Sequence, residues 1–224
     1  MPVALFDLDN TLLDRDAAFA EWAEGFCRAW DLPAEAEARA QLLSMDGDGL
    51  RPHDEFLAEV RSHFNLAATV DQLEEAYLRD YPEAYTFPDT SRAAPRRLRS
   101  AGWKVGVVTN GPRFQERKLE VTQLGDEVDA VCISALVDPW KPDPGIFVEA
   151  ARRCGSDLDG WMVGDSAPAD IRGGQGVGLR TISIHRGRTW DLGDPSPDAE
   201  VADVPEAVRV ILGDDDRAAE DNAA

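Results

Sequence analysis

VALFDLDNT, residues 3–11, is the stretch on which the fold turns. Val3 to Phe6 are apolar without a break, so the run cannot set a wet face against a dry one. It reads as a strand over Val3–Leu8 with both faces covered, the condition of strands inside a parallel sheet. Asp7 and Asp9 then bring carboxylates in at its end, one residue apart.

Four further runs of the same kind follow at Trp103–Thr109, Ala130–Ala135, Gly160–Asp165 and Arg180–His185. Each stops at a polar residue, and helix-like segments separate them. Pro112, Pro144 and Pro168 mark helix starts, because the first turn of a helix asks no hydrogen bond of its amides. Gly155 and Gly213 mark helix stops. Strand and helix alternating in this way predict an α/β fold built on a doubly wound parallel sheet.

One segment breaks the alternation. Between Asp14 and Asp89 there is only helical patterning. Phe19, Trp22, Phe26 and Trp30 recur at spacings of three and four, an apolar stripe that reads as core. Further helices are expected at Ala34–Ser44, Asp54–Phe64 and Asp71–Arg79, divided by Pro33, the Asp46–Pro52 loop and Pro82. The division predicted is a core of residues 1–13 and 91–213, an inserted all-helical domain of residues 14–90, and a disordered acidic tail, 214–224.

Composition narrows the partners. The 224 residues include 43 acids and 23 bases, a net charge of −20, and 43% are hydrophobic, enough for a packed core. Such acidity argues against nucleic acid or an anionic membrane as the main partner. It is uneven, however: residues 14–90 hold 18 acids and 6 bases, whereas residues 91–190 hold 12 acids and 15 bases. A small anionic substrate is therefore compatible with the core. Cys27, Cys132 and Cys154 are odd in number and form no CxxC, which excludes a disulfide framework and a thiolate zinc site and suits buried thiols in a reducing cytoplasm. No apolar run approaches the ~20 residues of a membrane span, and Pro2 leads into the first strand with no basic stretch before it. A cytoplasmic monomer or homodimer is the expectation.

Ligands of open α/β sheets bind beyond the carboxyl ends of the strands. The first strand ends in Asp7-Leu8-Asp9-Asn10-Thr11 and the second in Thr109-Asn110-Gly111. Lys141-Pro142-Asp143-Pro144 follows the third. The fourth ends in Gly164-Asp165-Ser166, with Asp170 five residues beyond Asp165. Carboxylates gathered at one edge raise each other's pKa and stay ionised together only if a cation joins them. Oxygen donors without His or Cys favour a hard ion such as Mg2+, bound through carboxylates and a substrate phosphate. Lys141 and Thr109 would then serve the remaining phosphate oxygens.

DLDNT, VVTNG, KPDP and GDSAPAD, in that order, resemble the four motifs of the haloacid dehalogenase-like hydrolase superfamily, and the insertion resembles its helical cap of the first type. The resemblance implies a sheet order of 3-2-1-4-5 and a Mg2+-dependent phosphatase. It matches Asp7 to the nucleophile that forms an aspartyl-phosphate. Asp9 matches the general acid/base, with its backbone carbonyl on the metal. Thr109 matches the phosphate-binding hydroxyl, with the amide of Asn110 beside it, and Lys141 the neutralising lysine. Asp165 matches the metal-binding carboxylate, which with Asp7 and Asp9 completes the metal set, and Asp170 a supporting one. The substrate implied is a small phosphorylated metabolite, whether a sugar phosphate, a phosphoglycolate-like acid or a nucleotide.

Asp9 separates branches of that superfamily, since by resemblance the dehalogenases lack a carboxylate there. A phosphomutase or a 2-haloacid dehalogenase-type hydrolase stands as an alternative, as does a non-catalytic phosphate-binding or phospho-accepting signalling module. Asn10, where many relatives have Gly, is the residue that best tolerates a left-handed backbone after glycine. Thr11 is expected to order its loop, Trp140 to pack rather than line a pocket, and Arg96, Arg97 and Arg99 to form a solvated face. His53, His63 and His185 read as bystanders.

Overall fold

Buried strands form where the sequence supplies unbroken apolar runs, and here four of the five expected runs end one or two residues early while the second keeps its end at Thr109. In the computed structural model, which describes residues 1–32, 34–49, 51–185 and 193–214, β1 is Val3–Phe6, shorter than expected. Asp7 still donates its N–H to Val163 O at 2.9 Å before the chain leaves the ladder. The strand therefore ends at the residue whose side chain matters. The remaining elements are α1 (Arg15–Ala29), α2 (Glu35–Met45), α3 (His53–His63), α4 (Val70–Asp80), α5 (Asp89–Ser100), β2 (Lys104–Thr109), α6 (Gln115–Thr122), β3 (Ala130–Ile133), α7 (Ser134–Val137), α8 (Pro144–Cys154), β4 (Gly160–Gly164), α9 (Arg172–Gly176), β5 (Arg180–Ile184), β6 (Ala199–Val201) and α10 (Val204–Leu212).

The six strands form one parallel sheet in the order β3-β2-β1-β4-β5-β6. The five expected strands take the expected order, and β6 extends the sheet beyond β5. Three residues, Ala-Glu-Val, are too few to show a pattern in sequence. With β1 central, alternate side chains pass to opposite faces. Val3 and Leu5 join Val108, Cys132 and Met162 against Ile146, Phe147, Ala150 and Cys154 of α8. Gly155 and Gly213 close α8 and α10 in the left-handed conformation, as read. All three cysteines are buried and free.

The chain divides into two compact units, Met1–Leu13 with everything from Phe87 onward, and Asp14–Thr86. The second unit is helical. Phe19, Trp22 and Phe26 of α1 are buried; the rings of Phe19 and Trp22 meet Phe56, Tyr77 and Tyr81 at centroid distances of 5.0–6.1 Å, and Phe26 meets Trp22 at 5.1 Å. Trp30, expected on the same stripe, is only half-buried. Arg15 is buried, with Nη2 2.6 Å from Asp46 Oδ1, and Asp46 Oδ2 accepts from Gly49 N at 3.1 Å, which pins the Asp46–Gly49 turn to the start of α1. Thr69 and Gln72 form a capping box at α4.

The arginines of α5 correct a reading. Arg96 makes a bidentate pair with Glu127, Arg97 pairs with Asp214 and Arg99 lies 3.7 Å from Asp129, so this face is paired as well as solvated. Pro33 and, apart from Asp214, the acidic tail lie outside the described residues. Among the described residues no helix is long and apolar enough to cross a membrane.

Candidate active site

The turn after β1 builds the site's floor. Asn10 adopts φ +60°, the left-handed conformation its side chain tolerates, and its N–H donates to Leu13 O at 2.7 Å while Leu13 N–H donates to Leu8 O at 2.9 Å. These backbone bonds close the loop. Thr11 does not order it as expected, because its buried hydroxyl has no hydrogen-bond partner.

Asp7, released from β1, faces one ammonium. Lys141 Nζ lies 2.6 Å from Asp7 Oδ1 and 2.6 Å from Asp170 Oδ1, and all three side chains are buried. Asp170 sits in a single wide turn, Ala167–Ile171, where its Oδ2 also accepts from Ser166 N at 3.0 Å. A side chain at Gly164 would occupy the space of the Asp170 carboxylate, so β4 has to end in glycine there. Asp165, half-buried, completes the group: Asp7, Asp165 and Asp170 each offer a carboxylate oxygen, all within 4.8 Å of one another.

Asp7 and Asp170 share one buried ammonium, Lys141, and Asp165 lies beside them. Burial pushes Asp7 up to about 8; Lys141 opposes this, and Asp170 and Asp165 add to it. Burial alone would lower Lys141, but Asp170 and Asp7 outweigh it and hold its pKa above the ordinary lysine value. The donors are hard carboxylate oxygens with no His or Cys among them. Such a set fits a hard divalent ion such as Mg2+.

Asp9 does not join that cluster through its carboxylate. Lys118 Nζ lies 2.9 and 2.7 Å from its two oxygens, and Gln115 Nε2 lies 2.9 Å from Oδ2. The same Gln115 nitrogen is 3.1 Å from Thr109 Oγ1. Asn110 acts by its side chain: Oδ1 accepts from Lys141 N at 2.8 Å and Nδ2 donates to Lys141 O at 2.9 Å, so the loop after β2 fixes the backbone that carries the lysine. Ser134 Oγ, at the start of α7, accepts from Gly111 N at 2.9 Å and holds the same loop.

Gln115, Lys118 and Ser134 escaped the sequence reading. The available signal was Gln115 and Lys118 three apart, on one face of the helix that follows Thr109-Asn110-Gly111. Trp140 corrects another expectation, since its ring is 49% exposed instead of packed. His63 bonds to Gln41 and His53 stacks near Tyr77, both within the helical unit.

The strand ends of one parallel sheet gather Asp7, Lys141, Asp165 and Asp170, with Asp9 and Thr109 beside them, on a doubly wound α/β fold. The chain belongs to the haloacid dehalogenase-like hydrolase family, whose model matches residues 1–178. It is 31% identical over 204 residues to a glyceraldehyde 3-phosphate phosphatase of Pyrococcus abyssi, covering 83% of this chain and 82% of that one. It is 36% identical over 130 residues to the enzyme of that name in Methanopyrus kandleri, but there the match spans 57% of this chain and about half, 52%, of the relative. The crystal structure of a HAD phosphatase from Thermococcus onnurineus superposes with a TM-score of 0.64 at 29% identity, over 95% of this chain and 98% of that one.

Proposed function

We propose that the protein is a Mg2+-dependent phosphatase that hydrolyses a small phosphomonoester through an aspartyl-phosphate on Asp7. The observation that carries this reading is the buried meeting of Lys141 with Asp7 and Asp170 beside Asp165: a carboxylate held against an ammonium among hard oxygen donors. A phosphorylated substrate and its cation complete such a centre, whereas a neutral substrate would not.

Asp7, Asp165 and the backbone carbonyl of Asp9 would hold the ion, with Asp170 in support. Bound there, Mg2+ supplies charge neutralisation for the phosphate and its transition state. The rest falls to the chain. A carboxylate oxygen of Asp7 attacks phosphorus as the bond to the leaving alkoxide breaks, and Asp9 gives that alkoxide a proton. Lys141, the Thr109 hydroxyl and the Asn110 amide hold the phosphate oxygens. Water then attacks the aspartyl-phosphate, Asp9 takes its proton, and phosphate leaves with Asp7 restored. The leaving alkoxide needs a proton, and that is the use of a carboxylate at position 9, which a haloacid substrate would not require.

The relatives named for glyceraldehyde 3-phosphate make small phosphorylated metabolites the class to screen first. The buried free cysteines suit a reducing compartment such as the cytoplasm. Replacement Asp7→Asn removes the nucleophile with little change of volume. It is expected to abolish release of p-nitrophenol from p-nitrophenyl phosphate, and excess chelator is expected to do the same reversibly. Wild-type turnover in Asp7→Asn would remove the nucleophile assignment, and undiminished turnover in chelator the metal.

A further inference from the structure

Asp9 and Thr109 lie on different strand ends, and one amide nitrogen joins them. An ionised carboxylate can only accept, so with Lys118 against both Asp9 oxygens in this structure the Gln115 atom 2.9 Å from Asp9 Oδ2 is the amide NH2. That group carries two hydrogens. The second serves Thr109 Oγ1 at 3.1 Å. Thr109 Oγ1 is thereby an acceptor toward Gln115, and its own hydrogen is left for another oxygen. Its one recorded use is a contact of 3.4 Å to Asn110 O, at the far edge of hydrogen-bond range. Gln115 and Thr109 are both buried, so water does not compete for these bonds. Gly111 makes room for the arrangement: a Cβ there would stand 2.9 Å from Gln115 Cγ.

We infer that Gln115 is a positioning residue that sets the polarity of the Thr109 hydroxyl, aiming its hydrogen at a phosphate oxygen, and that in the same act orients the Asp9 carboxylate. Lys118 completes the hold on Asp9 from both oxygens. The inference rests on the phosphatase reading above. A phosphate oxygen is an acceptor, so a Thr109 that donated inward would meet it lone pair to lone pair. Gln115→Met keeps the length of the side chain and removes both donors. Gln115→Glu keeps the shape and sets a second carboxylate against Asp9.

The test is a pair of double-mutant cycles on the full chain, with p-nitrophenyl phosphate as substrate and inorganic phosphate as competitive inhibitor. Its leaving group needs little help from a proton, which keeps Asp9→Asn measurable. In the otherwise unmodified protein, Gln115→Met should raise the phosphate inhibition constant and lower kcat, each by roughly 10- to 100-fold, the scale of a hydrogen bond to a charged partner. Gln115→Glu should be worse than Gln115→Met. In a Thr109→Val background the effect on the phosphate constant should vanish. In an Asp9→Asn background the effect on kcat should vanish. A residue that merely supports the fold would instead give the same loss in every background. Equal losses in all backgrounds of an active protein overturn the positioning role alone. No phosphate release by the unmodified protein overturns the phosphatase reading itself.

Discussion

Lys141 Nζ meets Asp7 Oδ1 at 2.6 Å across 134 residues of sequence. The strand before Lys141 is β3 and the strand before Asp7 is β1, with β2 between them. At about 4.8 Å per strand the gap is close to 10 Å. A long side chain on a backbone brought forward is needed to cross it. Asn110, on the intervening loop, provides that backbone placement by bonding both the N–H and the C=O of Lys141.

Lys141→Met should therefore lose more than catalysis. Phosphate release is expected to fall by at least about 10²-fold, as for loss of a preorganised electrostatic group. The carboxylates of Asp7 and Asp170 would also be left without their ammonium, at a cost of about 3–5 kcal/mol, the scale for breaking a buried pair. Thermal unfolding in chelator and in Mg2+ separates the two effects. The variant should be markedly less stable in chelator, and Mg2+ should recover more stability in it than in the unmodified protein. Equal recovery in both would show that the ammonium and the ion act at different places.

Arg15 tests the helical unit itself. Arg15→Met keeps an apolar side chain of similar length, and removes the guanidinium that lies over the Phe19 ring and pairs with Asp46. A loss of about 3 kcal/mol is expected, most of it from leaving Asp46 buried and unpaired. Adding Asp46→Asn should restore part of that loss, measured by urea unfolding. No recovery in the double variant would mean that Arg15 acts by packing alone.

Gly25 offers a gain. It lies inside α1 with helical backbone, and a Cβ built there meets nothing within 4 Å. Glycine in a helix interior costs about 0.5–1 kcal/mol relative to alanine. Gly25→Ala should stabilise the protein by that amount and raise the unfolding midpoint in urea. A lower midpoint would reveal a neighbour that the open space does not show.

Acid sensitivity should trace in part to Asp129. Burial alone would raise its pKa, but the N–H of Val105 at 2.9 Å, Lys104 at 3.0 Å and Arg99 together hold it below the ordinary 3.8. A carboxyl depressed on folding adds stability above its unfolded pKa of about 3.9, and that stability is lost as pH falls through the lower, folded value. Asp129→Asn should accordingly be less stable than the unmodified protein at pH 7. The difference should shrink below about pH 4. A difference that stays constant from pH 7 to pH 3 would assign Asp129 a role independent of its charge.

Much of this protein was legible in the chain itself because the relevant physics is local. An unbroken run such as Val3–Phe6 declares a covered strand wherever it is placed, Gly155 declares a helix stop, and Asn10 declares a left-handed turn. The order of the four strand-end segments made a shared edge readable as well, since parallel strands bring all their carboxyl ends to one side. Pairings made across crossovers were not legible. Gln115 looks in sequence like any polar residue on a helix, and only the placement of α6 beside the turn after β1 brings its amide to Asp9, 106 positions away. Arg96 likewise reads as solvated until Glu127 comes within reach, 31 residues on. Local apolar pattern sets which segments are buried. Which polar groups then meet depends on how those segments cross, and hydrogen bonds require a distance that composition does not carry.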